Sequence, residues 1–177
     1  MTQGHSPTPR VHPLQIQLKL GGHRHSGDKR CDVIISAGNT GAAMASALLR
    51  MGRIRGVARP AIATLLPAPG TTPTVLLDAG ANSECNPEWL VQFGRMGAVF
   101  ARDRLGVEEP RIALLSIGEE PGKGSPFAKN AHRRLAEAKF EGARFIGNVE
   151  GRDLLTDAAD VVVTDGFTGN VALKTLE

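Results

Sequence analysis

Apolar runs rich in β-branched residues recur along the chain at DVIIS (32–36), TVLLD (74–78), RIALLS (111–116), ARFIGN (143–148) and DVVVT (160–164). They are apolar throughout and do not alternate, the pattern of strands buried on both faces. Between them the periodicity becomes helical over Thr40–Met51, Pro87–Leu105 and Ser125–Lys139. Asn86 before Pro87, and Ser125 before Pro126, each supply an N-cap followed by a proline at the first helical position. Alternating strands and helices predict an α/β fold, a mainly parallel twisted sheet flanked by helices. Ala61–Leu66, closed by Pro67, Pro69 and Gly70, reads as a further strand at an edge or as a loop.

Residues 1–30 have another character. Leu14, Ile16, Leu18 and Leu20 alternate with Gln15, Gln17 and Lys19, a short strand pattern, and residues 21–30 form a polar, glycine-rich loop. His5, His12, His23 and His25 all lie here. No cysteine or carboxylate pair accompanies His23 and His25 at ligand spacing, so that loop reads as solvated and not as a metal site. The chain therefore divides into a basic, His/Pro/Gly-rich tail at 1–30 and an α/β domain over 31–177, with no internal repeat.

Charge sharpens this division. The net charge of +3 hides a tail with five basic residues against Asp28, +4, and a remainder with 16 basic and 17 acidic residues, −1. At 177 residues and 41% hydrophobic content the chain can bury a real core. Aromatic residues make up 4% and Tyr is missing, so stacking platforms are lacking and no nucleic-acid partner is expected. Cys31 and Cys85 are too few for a disulfide framework and fit a reducing, cytoplasmic compartment. No apolar run approaches the roughly eighteen residues of a membrane span, and the first thirty lack a secretory h-region.

Four strand ends run straight into turns of glycine and small polar residues: SAGNTG (36–41), DAGAN (78–82), SIGEEPGKGS (116–125) and TDGFTGN (164–170). In an open α/β sheet, ligands bind beyond the carboxyl ends of the strands. Glycines admit a ligand close to the backbone, and the helix N-termini that follow offer unpaired N–H groups and a positive dipole end. Together the turns predict an anion site, phosphate first. The 116–125 turn is not a Walker loop: three residues instead of four separate Gly118 from Gly122-Lys123, and Gly124 stands where Ser or Thr is needed. No G-x-G-x-x-G follows a strand and no G-x-S-x-G elbow is present, which argues against a dinucleotide fingerprint and a serine hydrolase. No cofactor is expected.

Lys123, in a glycine-rich loop, reads either as an anion contact or as a solubilising charge. Asp78 and Asp165 end apolar strands at turns. They read as caps, or as groups that orient a substrate, move a proton or bind a divalent metal. Cys85 precedes a helix with no histidine nearby in sequence and reads as a structural thiol. Trp89, Leu90 and Phe93 sit at helical spacing and read as core. Arg50, Arg53, Arg55 and Arg59 are either a solvated helix end or a docking patch for an acidic partner.

The same turns carry a resemblance. In VIISAGNTGAAMA, GRIRGVARPAIATLLP, LLDAGAN, LLSIGEEPGKG, FIGNVEGRDLL and ADVVVTDGFTGNVALKTLE, from about Cys31 to Glu177, the chain resembles the bacterial phosphate acyltransferases of phospholipid synthesis, the PlsX family. The resemblance implies a fold similar to phosphotransacetylases and isocitrate dehydrogenases, and a cytoplasmic homodimer in peripheral contact with the membrane. It implies that inorganic phosphate attacks the thioester of a long-chain acyl carrier protein, giving acyl phosphate and free carrier. Phosphate and acyl carrier protein are thus the implied partners. Such a protein holds the reactants in attack geometry and stabilises the oxyanion with preset donors. On this sequence the resemblance implies phosphate near Gly38, Asn39, Thr40, Lys123, Thr168, Gly169 and Asn170. Asn82, Gly118, Glu119 and Asn148 join the binding set, and Asp165, Asp78 and Lys123 are the catalytic or orienting groups, with no metal.

Three departures accompany the match. The family opens with a strand and a DAMGGD-type turn that residues 1–30 lack. Ser125 stands where the family usually has Asn. After the last helix the family continues with an amphipathic membrane-contacting segment and further strands, whereas here VALKTLE follows a Gly-Asn turn as about two helical turns without a C-cap. The expectation is a chain truncated at both ends and an incomplete sheet. Two alternatives stay open: an isocitrate-dehydrogenase-like metal-dependent enzyme using Asp78 and Asp165 as ligands, and an inactive phosphate-binding fragment.

Overall fold

The structure is a computed structural model that describes residues 40–177. The run at 32–36, the alternation at 14–20, Gly38 and Asn39 lie outside the described residues, as does the side chain of Thr40. The chain divides into two compact units, residues 1–55 and 56–177. In the first, α1 spans Thr40–Met51. It stops at Gly52, whose φ of 71° suits glycine and whose N–H donates to the Leu48 carbonyl at 2.9 Å.

The second unit is built on five strands: β1 Ala63–Leu66, β2 Thr74–Leu77, β3 Arg111–Leu115, β4 Arg144–Val149 and β5 Val161–Val163. Their order in the sheet is β1-β2-β5-β3-β4. β2, β5, β3 and β4 run parallel, and β1 pairs antiparallel with β2 at the edge. The fold is therefore the mainly parallel α/β class expected, and the ambiguous 61–66 segment forms β1, at the sheet's edge among the described residues. β2 and β5 are buried at every position, as their unbroken apolar runs require.

Both sheet faces are covered. α2 (Pro87–Leu105) and α3 (Pro126–Glu137) bring Leu90, Phe93, Ala101 and Leu135 onto Val75, Leu77, Ile112, Leu114, Val161 and Val163. On the opposite face Leu66, Leu76, Ala113, Val149 and Val162 meet Leu154 and Ala159 of the β4–β5 connection. Ala172 and Leu173 of α4 (Gly166–Leu176) pack there too.

One expectation about local structure is corrected. TDGFTGN is not a turn ahead of a two-turn helix. Asp165 is the N-cap and α4 begins at Gly166, so Thr168, Gly169 and Asn170 lie inside an 11-residue helix. The reason is that Asp165 Oδ1 accepts the Thr168 N–H at 2.8 Å, while the two glycines serve close packing. A Cβ on Gly166 would stand 2.5 Å from the Asn82 carbonyl oxygen, and one on Gly169 would collide with the Asp78 carbonyl oxygen.

β5 lies between β2 and β3. β2 and β3 lead into helices on one face, and β5 leads into α4 on the other. Neighbouring parallel strands that send their helices to opposite faces open a crevice at their carboxyl ends.

Candidate active site

A cleft of about 350 Å³ opens at this switch point. It is lined by Ser83, Glu84 and Cys85 ahead of α2, Phe127 in the first turn of α3, and Asp165 ahead of α4. Among the described residues that line it, two are acidic and none is basic, so these side chains alone do not make an anion site.

The 78–82 turn on one side is built around a single carboxylate. Asp78 is fully buried. Its Oδ1 accepts N–H bonds from Ile62 at 3.0 Å, Gly80 at 3.1 Å and Ala81 at 2.8 Å. Its Oδ2 accepts the Asn82 backbone N–H and the Asn82 Nδ2, both at 2.8 Å. Asn82 Nδ2 also donates to the Pro60 carbonyl at 2.8 Å. Asp78 and Asn82 thereby join the 60–62 segment, ahead of β1, to the turn after β2. The turn then seats α4: the Gly166 N–H donates to the Asn82 carbonyl at 2.8 Å. Asn170 lies over Gly80, where an added Cβ would meet Asn170 Oδ1 at 3.5 Å.

Asp165 uses both oxygens on its own helix. Oδ1 takes the Thr168 N–H, and Oδ2 takes the Thr168 hydroxyl at 2.7 Å. The unpaired helix-terminal donors expected at these turns are in part already used by the chain itself. Glu88 N–H donates to Asn86 Oδ1 at 3.0 Å in α2, and Ala128 N–H donates to Ser125 Oγ at 3.2 Å in α3. A side-chain N-cap and a bound anion compete for the same N–H groups.

The second side of the site is the β3–α3 loop, residues 116–125. Lys123 is exposed, and its stem lies against Gly118, where a Cβ would stand 2.9 Å from Lys123 Cγ. Lys123 N–H donates to the Glu120 carbonyl at 3.0 Å, closing a turn. From β4, Asn148 Nδ2 donates to the Gly118 and Glu120 carbonyls at 3.2 and 3.0 Å. Glu119 is exposed and pairs with Arg152 at 3.4 Å. At the foot of the loop, Ser116 Oγ is the one buried side-chain polar atom without a hydrogen-bond partner among the described residues.

The predicted residues thus fall into two groups. Asp78, Asn82, Asp165, Thr168, Gly169 and Asn170 gather where β2 and β5 end, and Gly118, Glu119, Lys123 and Asn148 gather where β3 and β4 end. Gly38 and Asn39 lie outside the described residues, and Thr40 opens α1 in the other unit. Two residues are not singled out by the one-dimensional pattern: Ser116, which it shows only as the first residue of the 116–125 turn, and His132, whose Nδ1 is 2.8 Å from Asn148 Oδ1. Cys85 is half-buried in the cleft. Burial pushes its thiol up to about 11, with the charges of Asp78 and Asp165 adding to the effect and the Gly166 N–H opposing it. It is therefore a neutral thiol at pH 7, as its structural reading requires.

The metal-ligand reading of Asp78 and Asp165 is not favoured. Their oxygens are committed to the bonds above, and among the described residues no three His, Cys, Asp or Glu side chains gather as ligands. Among the same residues no helix is long and apolar enough to cross a membrane.

A sequence profile described as Fatty acid synthesis protein matches residues 22–177. The chain belongs to this family. Curated relatives named phosphate acyltransferase match it closely. One from Synechococcus sp. (strain JA-2-3B'a(2-13)) is 53% identical over 148 residues, 84% of this chain and 39% of the relative. One from Dictyoglomus turgidum is 51% identical over 150 residues, 85% and 44%. One from Helicobacter acinonychis is 53% identical over 146 residues, 82% and 42%. The chain spans about two-fifths of the length of these relatives. Among solved structures, EutD phosphotransacetylase from Staphylococcus aureus superposes with a TM-score of 0.57 at 19% identity, over 73% of this chain and 44% of that one. A phosphotransacetylase from Streptococcus pyogenes gives 0.57 at 15% identity, over 78% and 47%. At such identities the likeness establishes the phosphotransacetylase fold, in agreement with the expected architecture.

Proposed function

We propose that the protein transfers a long-chain acyl group from acyl carrier protein to inorganic phosphate, giving acyl phosphate for phospholipid synthesis. The observation that carries this reading is the close match to phosphate acyltransferases over more than four-fifths of this chain, together with a family profile whose span, residues 22–177, includes the turns at the carboxyl ends of β2, β3 and β5. In the proposed step a phosphate oxygen attacks the thioester carbonyl, a tetrahedral intermediate forms, and the C–S bond breaks. The released carrier thiolate takes up a proton.

No protein nucleophile is required, which suits a Cys85 that stays protonated. Phosphate sits beside Lys123 and reaches toward Asn170. The two carboxylates in the cleft disfavour an anion there, so the cleft takes the acyl thioester, with Cys85 and Phe127 offering apolar contact. The unpartnered Ser116 hydroxyl under the Lys123 loop supports a ligand at this end of the site. Asp165 and Thr168 orient α4 and with it Asn170. Asp78 fixes the turn and moves no proton, because five N–H donors hold its oxygens. The homodimer and the cytoplasmic location follow from the same resemblance to the full-length family; the outward Phe167 and Val171 of α4 support a contact surface there.

The test is phosphate-dependent loss of the thioester from a long-chain acyl carrier protein, catalysed by this chain. Turnover that requires phosphate, and that Lys123→Ala reduces about a hundredfold, is the expected result, since one preset charge on the reacting groups contributes on this scale. Folded protein without turnover would overturn the enzymatic reading. If phosphate still raised its Tm, a phosphate-binding role would remain.

A further inference from the structure

The loop that carries Lys123 is held by one side-chain amide. Asn148 is 8% exposed, and both protons of its Nδ2 go to loop carbonyls, Gly118 at 3.2 Å and Glu120 at 3.0 Å. Its Oδ1 faces His132 Nδ1 at 2.8 Å. A flipped amide would set Oδ1 against two carbonyl oxygens, so the carbonyls determine which way the amide points. The oxygen then needs a donor, and His132 supplies it only with a proton on Nδ1. That donor is present in the neutral Nδ1–H tautomer and in the imidazolium alike. The ring is held from below by an edge contact with Phe145, at 5.2 Å between centroids.

The backbone brings this pair together on purpose-shaped geometry. Phe145 pairs with Ile112, but Gly147 pairs with Ala113, so Ile146 is an extra residue in β4. Without that bulge Asn148 would stand opposite Leu115, whose side chain joins the α4 face. With it, Asn148 stands opposite Leu114, on the face covered by α2 and α3, where His132 lies. A one-residue slip moves a side chain to the other face of a sheet. Gly147 takes the φ of 108° that the bulge demands.

We propose that Asn148 and His132 are positioning residues that hold the 116–125 loop in the shape that presents Lys123 to phosphate, with His132 protonated on Nδ1. The link to phosphate rests on the function proposed above; the clamp itself does not. Trypsin cleavage after Lys123 in the folded chain, resolved by mass spectrometry, reads the loop without phosphate. Asn148→Asp and His132→Leu should each speed that cleavage about tenfold, the scale of leaving a buried polar group unpaired. His132→Asn, whose Nδ2 falls near the position of the imidazole Nδ1, should stay near the original rate. The first two variants should also raise the phosphate concentration at half-maximal thermal shift about tenfold, and His132→Asn should restore it. A loss of Tm without these changes, equal cleavage in His132→Leu and His132→Asn, or an NMR spectrum placing the neutral proton of His132 on Nε2 would overturn the clamp. If the unmodified chain shows no phosphate response, the phosphate reading fails, and the cleavage rates and the tautomer still decide the clamp.

Discussion

Asp78 concentrates the stability of the site in one side chain. Replacing it with Ala would take the acceptor from four backbone N–H groups and from one Asn82 amide proton in a part-buried turn. Asp78→Ala should cost about 4 kcal/mol or more, at the high end for single substitutions, in a denaturant titration. A change below about 1 kcal/mol would mean that water replaces the carboxylate and that the turn does not depend on it. Cys85 gives a residue-scale prediction of another kind. Its thiol sits at about 11 because burial, then the two nearby carboxylates, disfavour the thiolate. In a Cys31→Ser background, the iodoacetamide rate should keep rising about tenfold per pH unit past pH 9 and level off only near 11. Levelling at the ordinary thiol range would contradict the burial argument. The sequence reads Asp78 as a strand-end carboxylate and Cys85 as a structural thiol. It does not show which donors meet Asp78, because Ile62 lies sixteen positions away and meets the turn only through the β1–β2 pairing.

At the scale of elements, α4 and the 78–82 turn are fitted backbone to backbone. Gly169→Ala would drive a methyl into the Asp78 carbonyl, and Gly166→Ala would place one 2.5 Å from the Asn82 carbonyl. Each should destabilise by about 3 kcal/mol or more, since neither obstacle is a side chain that can rotate away. Gly151→Ala, with open space around it, should stay within about 0.5 kcal/mol. Equal effects at the three positions would show that the helix can lift off the turn at little cost. These glycines also mark where pattern reading stops. The apolar runs at 74–78, 111–116, 143–148 and 160–164 foretell β2, β3, β4 and β5 to within a residue or two. Asn86-Pro87 and Ser125-Pro126 foretell the starts of α2 and α3. In TDGFTGN, glycine content signals a loop by local propensity, but the deciding contact is with a turn some ninety residues earlier. Tertiary packing overrides propensity there. The β4 bulge is hidden for the same reason: nothing in ARFIGN alone reveals which of its residues goes unpaired.

For the whole molecule, the two ends of the sheet divide the labour. The carboxyl ends of the strands hold the turns and the cleft, and the opposite end holds an ion-pair strap. Arg111, which starts β3, donates from Nε to Asp160 Oδ2 at 3.0 Å and from Nη2 to Asp160 Oδ1 at 3.0 Å. Its Nη2 also meets Asp157 at 2.6 Å, and its backbone N–H reaches Asp160 Oδ2 at 2.7 Å. Asp160 is 9% exposed and its carbonyl accepts the Val75 N–H at 2.9 Å, so the strap joins β3, β5 and β2. Burial alone would raise the Asp160 carboxyl. The side-chain and backbone bonds from Arg111, together with its charge, outweigh burial and hold Asp160 below the usual carboxylate range. Asp160 also presses Arg111 still further above its ordinary range, so the arginine stays charged throughout. A carboxyl that is more acidic folded than unfolded stabilises the fold fully above its unfolded value, about 3.9, and loses that contribution as pH falls through the folded value. Asp160→Asn should therefore cost about 2 kcal/mol at pH 7, measured by urea unfolding. The gap to the unsubstituted chain should narrow as pH drops below about 4 and close once Asp160 is protonated in both states. A gap that stays constant between pH 7 and pH 3 would show that Asp160 acts through packing and not through its charge. Because the strap is remote from the cleft, the thioester-cleavage rate of folded Asp160→Asn protein should be unchanged at pH 7, separating the end of the sheet that holds the fold from the end that carries the chemistry.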